Sequence, residues 1–581
     1  MRKERFLTER QMNADTLLKD GDYKSIRQIL ERLEAMFPDN PILGELNSKK
    51  EIVCTSAHEM YEEVMNLGDG MIAAGLKDAH IAIVSNNSVR YVLADICISS
   101  GVGIVTPMDV DATPELLATL MDKCDANAAL CCANCISKLE EVRKSYPALK
   151  TLITMDRKVE GYPFWEEITA EGKKLAESGA SIYRDLDIDL EAPAKILFTS
   201  GTTGANKGVI LTNANLAANV MNCMDTIKAE VGNTSMSVLP MHHATEINTH
   251  VMTRIASGKL TYINDNMRNL MINIRIFKPN TITVVPMIAT AFYKGIWSNA
   301  EKQGKADKLR KGIRISNLLR KFGKDKTHEM FKDLYEPFGG NLRMIVCGGA
   351  MLNPVVVKGL NDIGIRVENG YGITECGPLI SINADTLQEH LSVGRPCPNL
   401  QARILNPDEN GVGELCIKGA SVARGYYKDE EATRKAFLQD GFFNTGDSAR
   451  IDASGKIFLI GRKKNTIVLP NGKNIYPEEV ENVIETNIPY ASDIVVYQAA
   501  YEKGEVNTDV LCAGLYIEDE ARRADRKGII ADIAKVNAML PDYKRINYVE
   551  LPSEAYKKTS TKKIKRASLP IRCSGDGLII T

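Results

Sequence analysis

Between about residues 60 and 160 the chain alternates two periodicities. Apolar positions recur at helical spacing, then give way to short β-rich runs at Ile81–Ser85 (IAIVS), Gly103–Pro107 (GIVTP), Ala128–Cys132 and Leu149–Met155. A helix gathers positions three and four apart onto one face, whereas a strand alternates faces. The alternation therefore predicts βαβ units around a mostly parallel sheet, an α/β fold. The pattern continues at Ser237–Pro240, Thr281–Pro286 (TITVVP) and Leu342–Cys347 (LRMIVC). Residues 1–60 read as mainly helical, with a strand-like break at Glu51–Thr55. From Arg403 to Ile460 the texture changes to short strands with glycine turns, and a smaller α+β segment follows Gly461-Arg-Lys-Lys464.

At 581 residues the chain exceeds what one compact core supports. It is 44% hydrophobic and 25% charged, as soluble globular proteins are. Lys+Arg 73 against Asp+Glu 74 leaves a net charge of -1, so no overall field points to nucleic acid as a partner. The N-terminus is polar and of mixed charge, unlike a signal peptide. The most apolar run, Tyr91–Pro107, is too short for a membrane span and is broken by Asp95. A cytoplasmic protein is expected. The 13 cysteines lie mostly singly among apolar residues, as buried reduced thiols do. Cys131-Cys132-Ala-Asn-Cys135 lacks a second pair or a histidine at metal-ligand spacing, so no zinc site is expected.

Chemistry enters with Thr199-Ser200-Gly201-Thr202-Thr203-Gly204-Ala205-Asn206-Lys207-Gly208. Glycines let successive N–H groups converge on an anion, and the hydroxyls and Lys207 add donors. The spacing departs from the G-x-x-x-x-G-K-[ST] loop: Asn206 stands at the second glycine and Gly208 at the hydroxyl residue. Strand-like Ala194–Thr199 and Gly208–Leu211 flank the loop, and helical pattern starts only at Thr212 or Asn213, so a hairpin connection is predicted. Alone, such a loop reads equally well as a solvated turn. Four further stretches carry groups suited to a nucleotide: Gly348-Gly349-Ala350, Asn369-Gly-Tyr371-Gly372-Ile-Thr374-Glu375, Asn444-Thr-Gly-Asp447 and Gly461-Arg462-Lys-Lys464.

In this order the motifs resemble the adenylate-forming superfamily of acyl-CoA synthetases, luciferases and peptide-synthetase adenylation domains. The resemblance is strongest to long-chain fatty acyl-CoA ligases and runs from about residue 40 to 566. It implies a large N-terminal domain (1–461) of parallel βα subdomains plus a distorted β-barrel-like part, a hinge at 462–464 and a small mobile C-terminal domain (465–581). It further implies that Thr199–Lys207 holds the β- and γ-phosphates of ATP. Gly349 and Ala350 would line the adenine site, with Tyr371 stacked on the base beside Gly372. Thr374 would bond the α-phosphate, Glu375 would hold Mg²⁺, and Asp447 and Arg462 would bind the ribose. His243 would lie near the acyl-adenylate, Lys464 would be the hinge, and Lys563 would be the lysine that catalyses the first step. The implied thiol substrate is coenzyme A, with a carrier-protein pantetheine as the alternative acceptor and an aryl or other acid as the alternative substrate. A non-catalytic nucleotide-binding relative is the reading from another class, and intact Glu375, Asp447, Lys464 and Lys563 speak against it.

Two departures from the family pattern stand out. Asn206 replaces the usual proline, and Lys562 replaces the glycine before Lys563, which leaves open that Lys562 shares its role. Pocket walls are expected from His243–His250, Val284–Phe292 and Gly377–Ile382, with no charge at their centre, which suits a medium-to-long fatty acid. Glu246 and Arg254 flank the first stretch. The Lys- and Arg-rich helical insert at Asn299–Gly340 suits weak peripheral contact with an anionic membrane, and equally an ordinary solvated helix pair.

Overall fold

The computed structural model describes residues 23–199, 206–227, 234–384, 386, 389, 391–469, 474–503, 506–558, 564–573 and 576–580. Two compact units divide the chain. The first comprises Met1–Leu352, Val356–Ala402 and Ile417–Phe443; the second comprises Asn353–Val355, Arg403–Cys416 and Asn444–Thr581.

The first unit is built on two mainly parallel sheets. Eight strands matter below: β1 (Pro193–Thr199), β2 (Lys207–Thr212), β3 (Thr281–Val284), β4 (Met344–Cys347), β5 (Arg366–Gly372), β6 (Leu379–Asn383), β7 (Phe443–Ile451) and β8 (Ile457–Arg462). Among the described residues one sheet has seven strands, with β2 and β1 beside four parallel strands from Ala79 to Thr154. The other has nine, with β6, β5, β4 and β3 in consecutive positions. β3, β4 and β5 run parallel, with Thr283 opposite Val346 and Val346 opposite Glu368. Their alternate residues Ile282, Val284, Ile345, Cys347 and Val367 enter one apolar core together with helices Pro286–Lys302 and Pro354–Asp362. The intervening residues Thr281, Thr283 and Glu368 are buried as well, so the opposite face is covered and polar.

The segment Thr245–Ala256 covers that face. It opens as a π-helix and closes as an α-helix. Its Ile247, Val251 and Ile255 belong to the core of the seven-stranded sheet, with Leu197, Val209 and Leu216. Spacing by four puts these three on one side and leaves Thr249, His250, Thr253 and Arg254 for the other.

The second unit holds the C-terminal sheet, in the order Asp493–Lys503, Val506–Tyr516, Tyr548–Glu550, Leu578–Ile579, packed on helices Pro477–Asn487 and Arg526–Ala538. An open four-stranded sheet, not a closed barrel, stands where the barrel-like part is expected. Its order is Leu400–Leu405, Gly413–Gly419, β7, β8, and most of it belongs to the second unit.

Two details differ from the periodicity reading. Pro41–Leu46, within the stretch read as helical, is a strand, because it pairs with Ile52–Ser56 in a hairpin and with Thr261–Ile263 in parallel. The strand expected at Ser237–Pro240 lies at Ser235–Ser237, in register with Thr261–Ile263. Tyr371 and Asp447 sit inside strands, because β6 extends β5 to Gly372 and β8 pairs along β7 from Asp447. None of the 13 cysteines is in a disulfide, and Cys54 and Cys573 apart they are buried.

Candidate active site

β1 and β2 form the expected hairpin, with Thr199 opposite Lys207, and the following helix starts at Asn213 behind a Thr212–Asn215 capping box. Ser200, Gly201, Thr202, Thr203 and Gly204 lie outside the described residues. Lys207 is half-buried, and its Nζ stands 4.7 Å from the centre of the Tyr426 ring. The Tyr426 hydroxyl donates to Glu375 Oε1 at 2.8 Å. Burial, then the Glu375 charge and this hydrogen bond, push the phenol above its ordinary value and keep it a donor. One aromatic ring thus joins the lysine of the glycine-rich loop to the expected magnesium carboxylate. Tyr426 was not singled out in the sequence. It reaches the site because Gly425–Tyr426 adds a short strand to β2, with Tyr426 opposite Val209, and Arg424-Gly-Tyr426-Tyr427 carries no spacing that would announce this.

Thr374 and Glu375 occupy a 3₁₀ turn between β5 and β6. Gly377 closes the turn at φ +97°, where a Cβ would meet the Ser421 carbonyl at 2.9 Å, so only glycine serves. A buried polar chain holds the turn. Leu379 N–H donates to Asn219 Oδ1 at 2.9 Å, and Asn219 Nδ2 donates to the Asn248 carbonyl at 2.9 Å. Lys195 Nζ donates to Asn248 Oδ1 at 2.8 Å and to Asp95 Oδ1 at 2.6 Å. Lys195 and Asp95 are both buried; desolvation raises the Asp95 pKa and Lys195 opposes it. The Asp95 that interrupts the apolar run at Tyr91–Pro107 is thereby explained as the partner of a strand lysine.

Tyr371 is buried on β5, and Gly349 and Ala350 are exposed beyond the end of β4. His243 is half-buried in the turn before Thr245, and its ring lies 4.2 Å from that of His242. His242 stands 4.0 Å from Asp109, and burial lowers its pKa against the pull of Asp109 and Asp111.

In the second unit Asp447 is buried and faces Arg462 across the β7–β8 ladder, with Arg462 Nε 2.8 Å from Asp447 Oδ1. Lys464 lies in the 3₁₀ turn Lys463–Asn465 after β8. Partial desolvation, then the Arg462 and Arg566 cations, lower its pKa. Lys562 and Lys563 lie outside the described residues.

Among the described residues no group of three or more His, Cys, Asp or Glu side chains could hold a metal ion by itself. Glu375 would suit a hard cation that keeps waters and takes its other oxygens from phosphate, as Mg²⁺ does.

The architecture is that of adenylate-forming enzymes. The o-succinylbenzoate coenzyme A synthetase MenE of Bacillus subtilis, solved with ATP and magnesium ion, superposes with a TM-score of 0.70 at 18% identity, covering 93% of this chain and 98% of that one. The chain belongs to the AMP-binding enzyme family, which matches residues 30–427. Relatives include long-chain-fatty-acid–CoA ligase 6 of Rattus norvegicus, 26% identical over 81% of this chain and 71% of that protein. The chloroplastic long-chain-fatty-acid–[acyl-carrier-protein] ligase AEE15 of Arabidopsis thaliana is 24% identical over 82% and 75% respectively. Among the described residues no helix is long and apolar enough to cross a membrane.

Proposed function

We propose that the enzyme activates a medium-to-long-chain carboxylic acid with ATP, forming an acyl-adenylate and then a thioester of coenzyme A, with release of pyrophosphate and AMP. The observation that carries the reading is the Lys207–Tyr426–Glu375 contact, which sets a phosphate-binding cation beside a metal-binding carboxylate. Glu375 would hold Mg²⁺, which when bound neutralises charge on phosphate oxygens.

The chain's own residues act by positioning and by charge complementarity. Lys207 binds the terminal phosphates, Thr374 donates to the α-phosphate, and Tyr371 with Gly349, Ala350 and Gly372 encloses the base. Asp447 accepts from the ribose hydroxyls and Arg462 orients that carboxylate. Lys563 stabilises the phosphoryl oxygens as the substrate carboxylate attacks phosphorus. Rotation about Lys464 then withdraws Lys563 and admits the thiol, which attacks the acyl carbon. The Arabidopsis acyl-carrier-protein ligase among the relatives supports a pantetheinyl carrier as a second acceptor.

Membrane contact belongs to the same proposal. On helix Ala306–Lys321 and its cap, Ile315, Leu318 and the 74% exposed Phe322 form an apolar stripe among exposed Lys311, Arg314, Lys321 and Lys324.

Incubation of the full chain with ATP, Mg²⁺, coenzyme A and a panel of carboxylic acids tests the central reading. AMP and thioester should form in equal amounts. No AMP with any acid, with either coenzyme A or a pantetheinyl carrier, would overturn it.

A further inference from the structure

The polar face between the two sheets of the first unit encloses a cavity of about 20 Å³, more than the ~10–15 Å³ that one ordered water occupies. Six of its eight lining residues carry polar groups, although the surface they turn to it is mainly apolar. Arg254, read from sequence as a flanking charge, lines it directly. It is 4% exposed, and among the described residues neither Nη1 nor Nη2 has a hydrogen-bond partner. Among the described residues Thr281 Oγ1 and His250 Nε2 are likewise buried without a partner, while Thr249 and Thr253 lie within hydrogen-bonding reach of the Cys223 thiol.

This arrangement is built rather than incidental. Glu246, fully buried, accepts from the backbone N–H groups of Val238 and Leu239 and stands 2.9 Å from His250 Nδ1. That contact fixes the ring and leaves Nε2 to the cavity. Thr281 and Thr283 on β3 share the cavity face with Val346 on β4 and Glu368 on β5 through the register of the sheet. Glu368 is 0% exposed and ion-pairs with Arg366 at 2.7 Å. Burial nevertheless lifts its pKa to about 7, against the opposing pull of Arg366 and Arg254. The buried Arg254 thus faces a carboxylate that is already paired with Arg366, whose own side chain is 40% exposed. A buried cation whose donors are unmet is costly, and one further carboxylate would supply both the charge and the acceptors.

The sheet face that carries the cavity continues toward the nucleotide motifs. Two residues beyond Val346 and Glu368 on the same face are Gly348 and Gly370. A Cβ at Gly348 would have only the Gly370 carbonyl within 4 Å, at 3.5 Å, so the face is open there. Glu368 lies four residues before Gly372 on β5, about 13 Å along the strand. That is the span of a medium-length acyl chain.

We propose that the acid activated at this site carries a second carboxylate at its far end, and that Arg254, with Thr253 and Thr281, holds it. This specificity rests on the adenylation reading above and narrows its substrate to α,ω-dicarboxylates of medium length.

The test compares hexanoate with hexanedioate, decanoate with decanedioate and dodecanoate with dodecanedioate on the full-length protein with ATP, Mg²⁺ and coenzyme A. The best diacid should exceed its monoacid in kcat/KM by about a hundredfold, and Arg254→Met should erase that ratio. Thr253→Val, which removes one hydroxyl and no charge, guards against a variant that fails to fold and should lower the ratio severalfold. In thermal denaturation the preferred diacid should raise the Tm of the wild type and not that of Arg254→Met. A wild-type preference for monoacids that Arg254→Met and Thr253→Val leave unchanged would overturn the proposal and mark the cavity as a water site. If no acid releases AMP, the adenylation reading falls, and the thermal-shift comparison still decides whether Arg254 holds a diacid.

Discussion

The Tyr426 hydroxyl donates to Glu375 across 51 residues of sequence, at 2.8 Å, while Lys207 sits over the face of the same ring. The carboxylate is thereby oriented by a neutral donor that does not cancel its charge. Tyr426→Phe keeps the ring and removes the donor. It should raise the Mg²⁺ concentration needed for half-maximal pyrophosphate exchange and lower the rate by about tenfold. An unchanged Mg²⁺ dependence would show that Tyr426 only packs.

The Lys195–Asp95 pair is buried, so removing one partner strands the other. Lys195→Met should destabilise the first unit by about 3 kcal/mol or more, read as a lower denaturation midpoint. Lys195→Met with Asp95→Leu should recover part of that loss. If the double variant is less stable than both single variants, the pair is not what holds this region.

Glu368 gives a pH signature. Its pKa is about 7 folded against 4.5 unfolded, so the folded state keeps a proton that the unfolded state has lost between those values. Stability therefore falls as pH rises through that window and levels off above it. Glu368→Gln abolishes the effect. Relative to wild type it should gain stability from pH 4.5 to 7, by up to about 3 kcal/mol, and hold that gain at pH 8. Parallel stability curves for the two proteins would refute the assignment.

At the proposed hinge, Lys464 lies in a helical turn, and proline there disfavours the helical conformation of Lys463 as well as fixing its own φ. Lys464→Pro should spare pyrophosphate exchange and abolish thioester formation from supplied acyl-adenylate. Lys563→Ala should do the reverse, with exchange reduced on the order of 10²–10³-fold. Normal exchange by Lys563→Ala together with loss in Lys562→Ala would move the role by one residue. Equal damage to both half-reactions by Lys464→Pro would argue against a rotation between two working states.

The exposed stripe of Ile315, Leu318 and Phe322 predicts binding to vesicles containing anionic lipid, weakened by salt. Changing Lys311, Arg314, Lys321 and Lys324 to Gln should remove that binding and leave turnover of a water-soluble acid unchanged. Equal sedimentation of both proteins with vesicles would exclude the contact.

What the sequence made legible follows from range. Lys207 and its hairpin, and the Thr374–Glu375 turn, are set by local glycines and short strands, so their motifs could be read in place. Tyr426 could not be, because its role depends on a strand pairing with Val209 that no local pattern encodes. Arg254 was visible as a charge beside an apolar helix, but its direction depends on which side of Thr245–Ala256 each sheet covers. The strand Pro41–Leu46 escaped because its partners include Thr261–Ile263, far along the chain. Thr281-Ile-Thr283-Val284 did carry its own signal: strict alternation inside a buried strand marks two unlike covered faces, one of them polar.

The hairpin origin of the glycine-rich loop gives nucleotide binding a particular physical character. A loop that feeds a helix lends its ligand the partial positive charge of the helix end. Here the helix at Asn213 has already committed early donors within the protein, Ala214 N–H to the Leu190 carbonyl and Asn215 N–H to Thr212 Oγ1. In the proposed reading, side-chain charge such as that of Lys207 joins the loop's own donors in attracting a polyphosphate, and counterions screen that charge over about 8 Å at physiological ionic strength. If the loop binds nucleotide as proposed, affinity should fall as ionic strength rises, because part of the attraction is side-chain charge that counterions screen.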